Sequence, residues 1–118
     1  VLLKLLKAEL LIFDNDYDAA TVLLKDLQAI EPTNEEIYVQ QASIFSKKDE
    51  HQKAINSLKI ALAYTDDKAD VLSMIGMEYL YLDNFDEARL NFAKCLDVDF
   101  EDYSSLYNVI YCFDFLTD

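Results

Sequence analysis

The chain has 118 residues, 53% of them hydrophobic, with one Gly, one Pro and a formal charge of −13 from 23 acidic against 10 basic residues. So little Gly and Pro excludes sandwiches, barrels and Gly-rich phosphate loops, which need many tight turns with positive φ, and leaves a mostly helical protein. The charge repels phosphate backbones and anionic lipid, so nucleic acid and membrane surfaces are not expected as partners, and no apolar run approaches the ~20 residues of a bilayer span.

The opening stretch VLLKLLKAELLIF reads as a helix, because it lacks the small-residue cleavage site of a secretory signal and runs straight into a helical pattern. Next comes DNDYDAA, residues 14–20, with aspartates at alternate positions like the start of a calcium loop. An EF-hand loop also needs Gly at its sixth place and a bidentate Glu at its twelfth, where this chain has Ala19 and Lys25. An inter-helix turn is therefore expected. Further along, Thr33 with Glu36, Asp49 with Gln52 and Asn84 with Glu87 have the spacing of capping boxes, in which side chains satisfy orphan amides at a helix start. These signals predict about seven helices, at 2–14, 17–30, 34–47, 51–64, 68–82, 85–97 and 102–115.

The pattern repeats. DYDAA at 16–20 returns as NFDEA at 84–88, with EHQKA at 50–54 halfway between, so Ala20, Ala54 and Ala88 are equally spaced by 34 residues. Leu24, Leu58 and Phe92 follow these alanines, and Leu27, Ala61 and Cys95 follow in turn. In the segments before them Ala8, Ala42 and Gly76 align, each followed by Leu11, Phe45 or Tyr79. A small residue lets two helix axes approach while large ones fill the space beside it, which is the pattern of paired antiparallel helices.

This arrangement resembles the tetratricopeptide repeat family over nearly the whole chain. IGMEYLYLDNFDEA at 75–88 carries the best copy, with Gly76, Tyr79, Phe85 and Ala88 in register, while Ala8, Leu11, Ala20 and Pro32 hold the corresponding places of the first repeat. The resemblance implies an all-α fold, a right-handed superhelical stack of antiparallel helix pairs, with repeats at 1–34, 35–68 and 69–102 and a partial one at 103–118, cut from a longer chain. Two departures stand out: Lys4 and Lys7 occupy apolar places, and Pro32 is replaced by Asp66 and Phe100 in the later copies. At the fifteenth place, often Gly in the family, stand Asn15, Asp49 and Asp83, residue types that tolerate the left-handed conformation of a helix-ending turn.

Little in the chain suggests catalysis. Cys95 and Cys112 form no CxxC pair and read as buried reduced thiols, which suits a reducing compartment and favours the cytoplasm. His51, the one histidine, lacks neighbours at metal-ligand spacing and reads as a solvated turn residue. No enzyme activity, cofactor or metal is expected. Most of the fifteen aromatics, Tyr17, Phe45, Tyr79, Phe85 and Phe92 among them, align with packing positions.

By the family's pattern, the first helix of each repeat lines a concave groove. The groove places fall on Glu36, Val39, Gln40, Ser43 and Lys47, then Asp70, Ser73, Met74, Met77 and Tyr81, then Tyr107, Asn108 and Tyr111. Aromatics and Met offer adaptable apolar contact, and Ser, Asn and Gln can bond an extended backbone, so a scaffold that binds a peptide or protein segment is expected. A carboxylate clamp for chaperone tails is not, since Leu5, Glu9, Gln40, Asp70 and Met74 stand at its places and only Lys47 is cationic. Glu36 and Asp70 favour a neutral or basic ligand. The other reading is a structural spacer without a peptide ligand. Both ends look unfinished, so self-association through them is expected.

Overall fold

The computed structural model describes the backbone of residues 1–99, 101 and 103–117, and the side chains among these up to residue 110. Seven helices make up the described residues: α1 (Leu2–Phe13), α2 (Tyr17–Ile30), α3 (Glu35–Lys47), α4 (His51–Tyr64), α5 (Lys68–Tyr81), α6 (Phe85–Val98) and α7 (Tyr103–Thr117). The expected helices are all present, with ends displaced by no more than two residues. The chain forms two compact units, residues 1–64 and 65–118.

The turns within the helix pairs share one construction. Asn15, Asp49 and Asp83 have φ of 64°, 60° and 57°, the left-handed conformation expected at the fifteenth place. In each turn that residue donates its N–H three residues back, to Ile12, Ser46 or Leu80 at 3.0 Å. The next residue donates five back, from Asp16 to Leu11, Glu50 to Phe45 and Asn84 to Tyr79, at 2.8–3.0 Å. This is a Schellman closure, which satisfies the last carbonyls of a helix and reverses the chain in a few residues.

The first such turn answers the calcium-loop question. Asp14 follows the end of α1, Asn15 turns the chain, and the Asp16 carboxylate accepts from the N–H of Ala19 at 3.3 Å to cap α2. All three polar side chains belong to the turn. Asn84 caps α6 through the Glu87 N–H at 3.3 Å as expected, and Asp67 caps α5 through the Asp70 N–H at 3.3 Å.

Two capping expectations are corrected. Asn34, not Thr33, caps α3, accepting from the Glu36 N–H at 3.1 Å while its own amide is held by Glu31 at 2.9 Å. Asp49 is occupied by the left-handed turn position, so Glu50 immediately precedes α4. There the Lys53 ammonium lies 2.7 Å from the Glu50 carboxylate, and this hydrogen bond holds the Glu50 carboxyl below its ordinary range.

In the first unit α1 pairs with α2 and α3 with α4, and α2 also packs on α3. Its core gathers Leu5, Ala8, Ile12, Ala20, Leu24, Leu27, Ile37 and Ile44. The Gln41 amide donates to Gln28 at 3.0 Å and ties α3 to α2. Leu5, Ala8 and Ile12 are the buried residues of α1, and Lys4 and Lys7, which occupy apolar places of the pattern, are exposed.

In the second unit α5 pairs with α6, and α6 with α7. Ala88, Phe92 and Cys95 are fully buried, as their counterparts Ala20, Leu24 and Leu27 are in the first unit. Ser105 of α7 donates to the Cys95 sulfur at 3.1 Å, so Cys95 is a core thiol as expected. The Cys112 side chain lies outside the described residues.

The crossing between α5 and α6 is close. A Cβ added to Gly76 would sit 2.7 Å from the Phe92 ring, itself fully buried. Gly76→Ala gains about 1 kcal/mol of helix propensity but incurs about 1–3 kcal/mol of overpacking against a ring that cannot withdraw. The expected result is a lower midpoint in urea unfolding, with part of the loss recovered when Phe92→Leu is added.

Candidate functional site

On the second unit, helix periodicity brings Ser73, Met77 and Tyr81 of α5 to one stripe, each four residues from the next. On α7 the same spacing aligns Tyr103 with Tyr107 and Ser104 with Asn108. The two stripes face each other: the Asn108 amide donates to the Met77 sulfur at 3.9 Å, a weak bond that links them.

Two open cavities lie along this seam. One, of about 430 Å3, is lined by Met77, Leu80, Tyr81, Asp83, Phe85, Tyr107 and Asn108. The other, of about 600 Å3, is lined by Ser73, Met77, Tyr103, Ser104, Tyr107 and Asn108. They share Met77, Tyr107 and Asn108, so they are neighbouring parts of one groove. Tyr107 is 68% exposed and Tyr81 62%, which is large for rings that could have been buried. An apolar floor with amide and hydroxyl groups at its edge suits an extended segment with one or two apolar side chains.

Five of the expected groove residues, Ser73, Met77, Tyr81, Tyr107 and Asn108, are therefore brought together. Met74 is half-buried on α5 and lines neither cavity, and Asp70 is exposed in the first turn, where the positive end of the helix favours a carboxylate. Tyr111 lies on α7, but its side chain is outside the described residues.

The expected residues of the first unit have a different setting. Gln40 is 6% exposed, and its amide donates to the Leu5 carbonyl at 3.2 Å, linking α3 to α1. It serves packing and not an open groove. Glu36 and Lys47 are exposed at opposite ends of α3, each at the end that its charge favours. Val39 and Ser43 are half-buried between them. His51, expected as a solvated turn residue, is instead the first residue of α4, with its side chain only 14% exposed and 3.7 Å from Asp49 of the preceding turn.

Leu80, Asp83, Phe85, Tyr103 and Ser104 line the seam without having been expected there. Phe85, expected in the core, is only half-buried, on the cavity wall. Asp83 lies in the turn after α5 and Phe85 opens α6, so only the path of that turn brings them beside α7. For the residues that were missed, the four-residue spacing of Tyr103 from the expected Tyr107 is the sequence signal that could have found one of them.

Residues 69–102 match the tetratricopeptide repeat family model. No curated protein matches the chain. Among solved structures, the first tetratricopeptide domain of Spaghetti, bound to the HSP90 peptide SRMEEVD, superposes with a TM-score of 0.87 at 16% identity over 99% of this chain and 93% of that one. A tetratricopeptide protein of the thermophile Thermus thermophilus gives 0.74 at 26% identity over 85% of this chain. The match spans about half of that protein, 51%. The Sgt2 tetratricopeptide domain of Aspergillus fumigatus gives 0.79 at 14% identity, covering 94% and 75%.

The exposure of the seam separates it from the core energetically. Tyr107→Ala is expected to change unfolding free energy by no more than about 0.5 kcal/mol. Phe92→Ala, fully buried, should cost about 3–5 kcal/mol. Paired urea titrations check the contrast.

Proposed function

We propose that the chain, whose residues 69–102 match the tetratricopeptide repeat model and whose fold is that of tetratricopeptide domains, is a non-catalytic scaffold that captures a peptide or protein segment on the faces of its first helices. Residues 1–118 form one array in this reading, with repeats at 1–34, 35–68 and 69–102 and a partial repeat from 103. The observation that carries the reading is the α5–α7 seam, where Met77, Tyr81 and Tyr107 stay open to solvent beside Asn108. Met and Tyr exposed together at a groove supply contact area with little conformational entropy lost from the rings.

The peptide-bound neighbour supports binding by this fold. Its peptide, SRMEEVD, is rich in carboxylates. This chain carries a charge of −13, and its expected groove residues include one cation, Lys47, so an acidic tail is disfavoured. The conclusion is a neutral or basic segment held mainly by apolar anchors. Two or three such anchors bring affinity to about micromolar after the costs of association.

Panning a random peptide library displayed on phage against the protein tests this reading. Enriched peptides, measured by fluorescence anisotropy, should lose roughly tenfold or more in affinity to Met77→Ala/Tyr107→Ala. Equal binding to wild type and variant would remove the seam as the binding face.

A second reading, a self-associating spacer, draws on α1. Leu2, Leu3 and Phe13 are 82%, 78% and 82% exposed, and Leu3, Leu6 and Leu10 line an apolar trough with Lys4 and Lys7 at its sides. A face this apolar favours contact with a like face on a second copy. Sedimentation velocity at micromolar concentration is then expected to show dimers that Leu3→Glu/Leu10→Glu returns to monomers. Monomer alone at every concentration would dismiss it.

A further inference from the structure

The acidic charge is not spread evenly along the chain. Residues 65–118 hold 13 acidic and 3 basic residues, a net −10, whereas residues 1–64 hold 10 acidic and 7 basic, a net −3. The unit that carries the α5–α7 seam is thus the strongly anionic one.

Within that unit the three cations are Lys68 at the start of α5 and Arg89 and Lys94 on α6. Among the described residues lining the two cavities there is no Lys or Arg. One carboxylate, Asp83, lies on the wall of the smaller cavity, beside Leu80, Phe85 and Tyr107. It is exposed, and its left-handed backbone, φ 57°, is fixed by the turn after α5. A negative charge is therefore held at the rim of an apolar pocket, inside a field of the same sign.

We propose that this seam selects a partner segment in which a large apolar side chain stands next to Lys or Arg, the apolar group entering between Met77, Phe85 and Tyr107 while the cation meets Asp83. The proposal rests on the peptide-binding reading above and adds to it the charge of the ligand and the residue that reads it. The anionic unit steers a cationic segment toward the seam and repels an acidic one. Asn108, whose amide already leans on Met77, is placed to bond the segment's backbone.

Three fluorescein-labelled peptides of about ten residues test the charge rule, each with a central Phe-Leu pair in a Gly-Ser frame and with Lys, Ser or Glu at the flanking positions. The Lys peptide is expected to bind at least roughly tenfold tighter than the Glu peptide at about 0.02 M salt, with the gap narrowing at about 0.5 M. Tyr107→Ala should weaken the Lys peptide about tenfold. Asp83→Asn, which keeps a residue suited to the left-handed turn, should weaken the Lys peptide about threefold and leave the Ser peptide unchanged.

Equal binding of the Lys and Glu peptides, or Lys-peptide binding that ignores Tyr107→Ala, overturns the proposal. Failure of all three probes overturns it as well. In each of those cases the peptide-binding reading itself stands or falls separately, by whether library-selected peptides still depend on Met77 and Tyr107.

Discussion

Every helix pair in this protein depends on the closeness with which two backbones can cross. Ala8, Ala20, Ala54 and Ala88 are fully buried and Ala42 nearly so, and at Gly76 there is no room even for a methyl group. These positions set the distance between paired axes, and the large residues four places along, Leu24, Leu58 and Phe92, occupy what remains. Packing of this kind is local, so each pair is specified by its own stretch of chain, and neighbours are then needed to cover its apolar side.

The turns impose a second constraint of the same kind. A Schellman closure needs one residue with positive φ, which Gly supplies at little cost and other residues do not. Here Asn15, Asp49 and Asp83 accept it. Choosing Asn or Asp keeps polar groups at the turns, and the adjoining Asp16 and Asn84 cap the following helices. The stretch that first resembled a calcium loop is the product of this economy.

Helix positions and buried faces were legible in the sequence because they follow from a period and from residue size. Ala20, Ala54 and Ala88 are all fully buried, and helix ends fell within two residues of expectation. Capping was less legible, since Thr33 and Asn34 are both good caps and the choice was decided by Glu31 holding the Asn34 amide. The site was legible only along single helices: Ser73, Met77 and Tyr81, and Tyr107 with Asn108, could be placed on faces. Gln40 could not be excluded from a groove without knowing that the Leu5 carbonyl lay within reach, and Asp83 and Phe85 could not be included without the path of a turn.

The Cys95 sulfur is shut in beneath α7, where Ser105, also fully buried, leans its hydroxyl on it. A thiolate-seeking reagent cannot touch that atom while the last helix stays docked. Its rate of alkylation therefore reports how often α7 lifts from α6, and a ligand that bridges α5 and α7 would slow it without touching the sulfur. The chain thus carries an internal clock for the seating of α7.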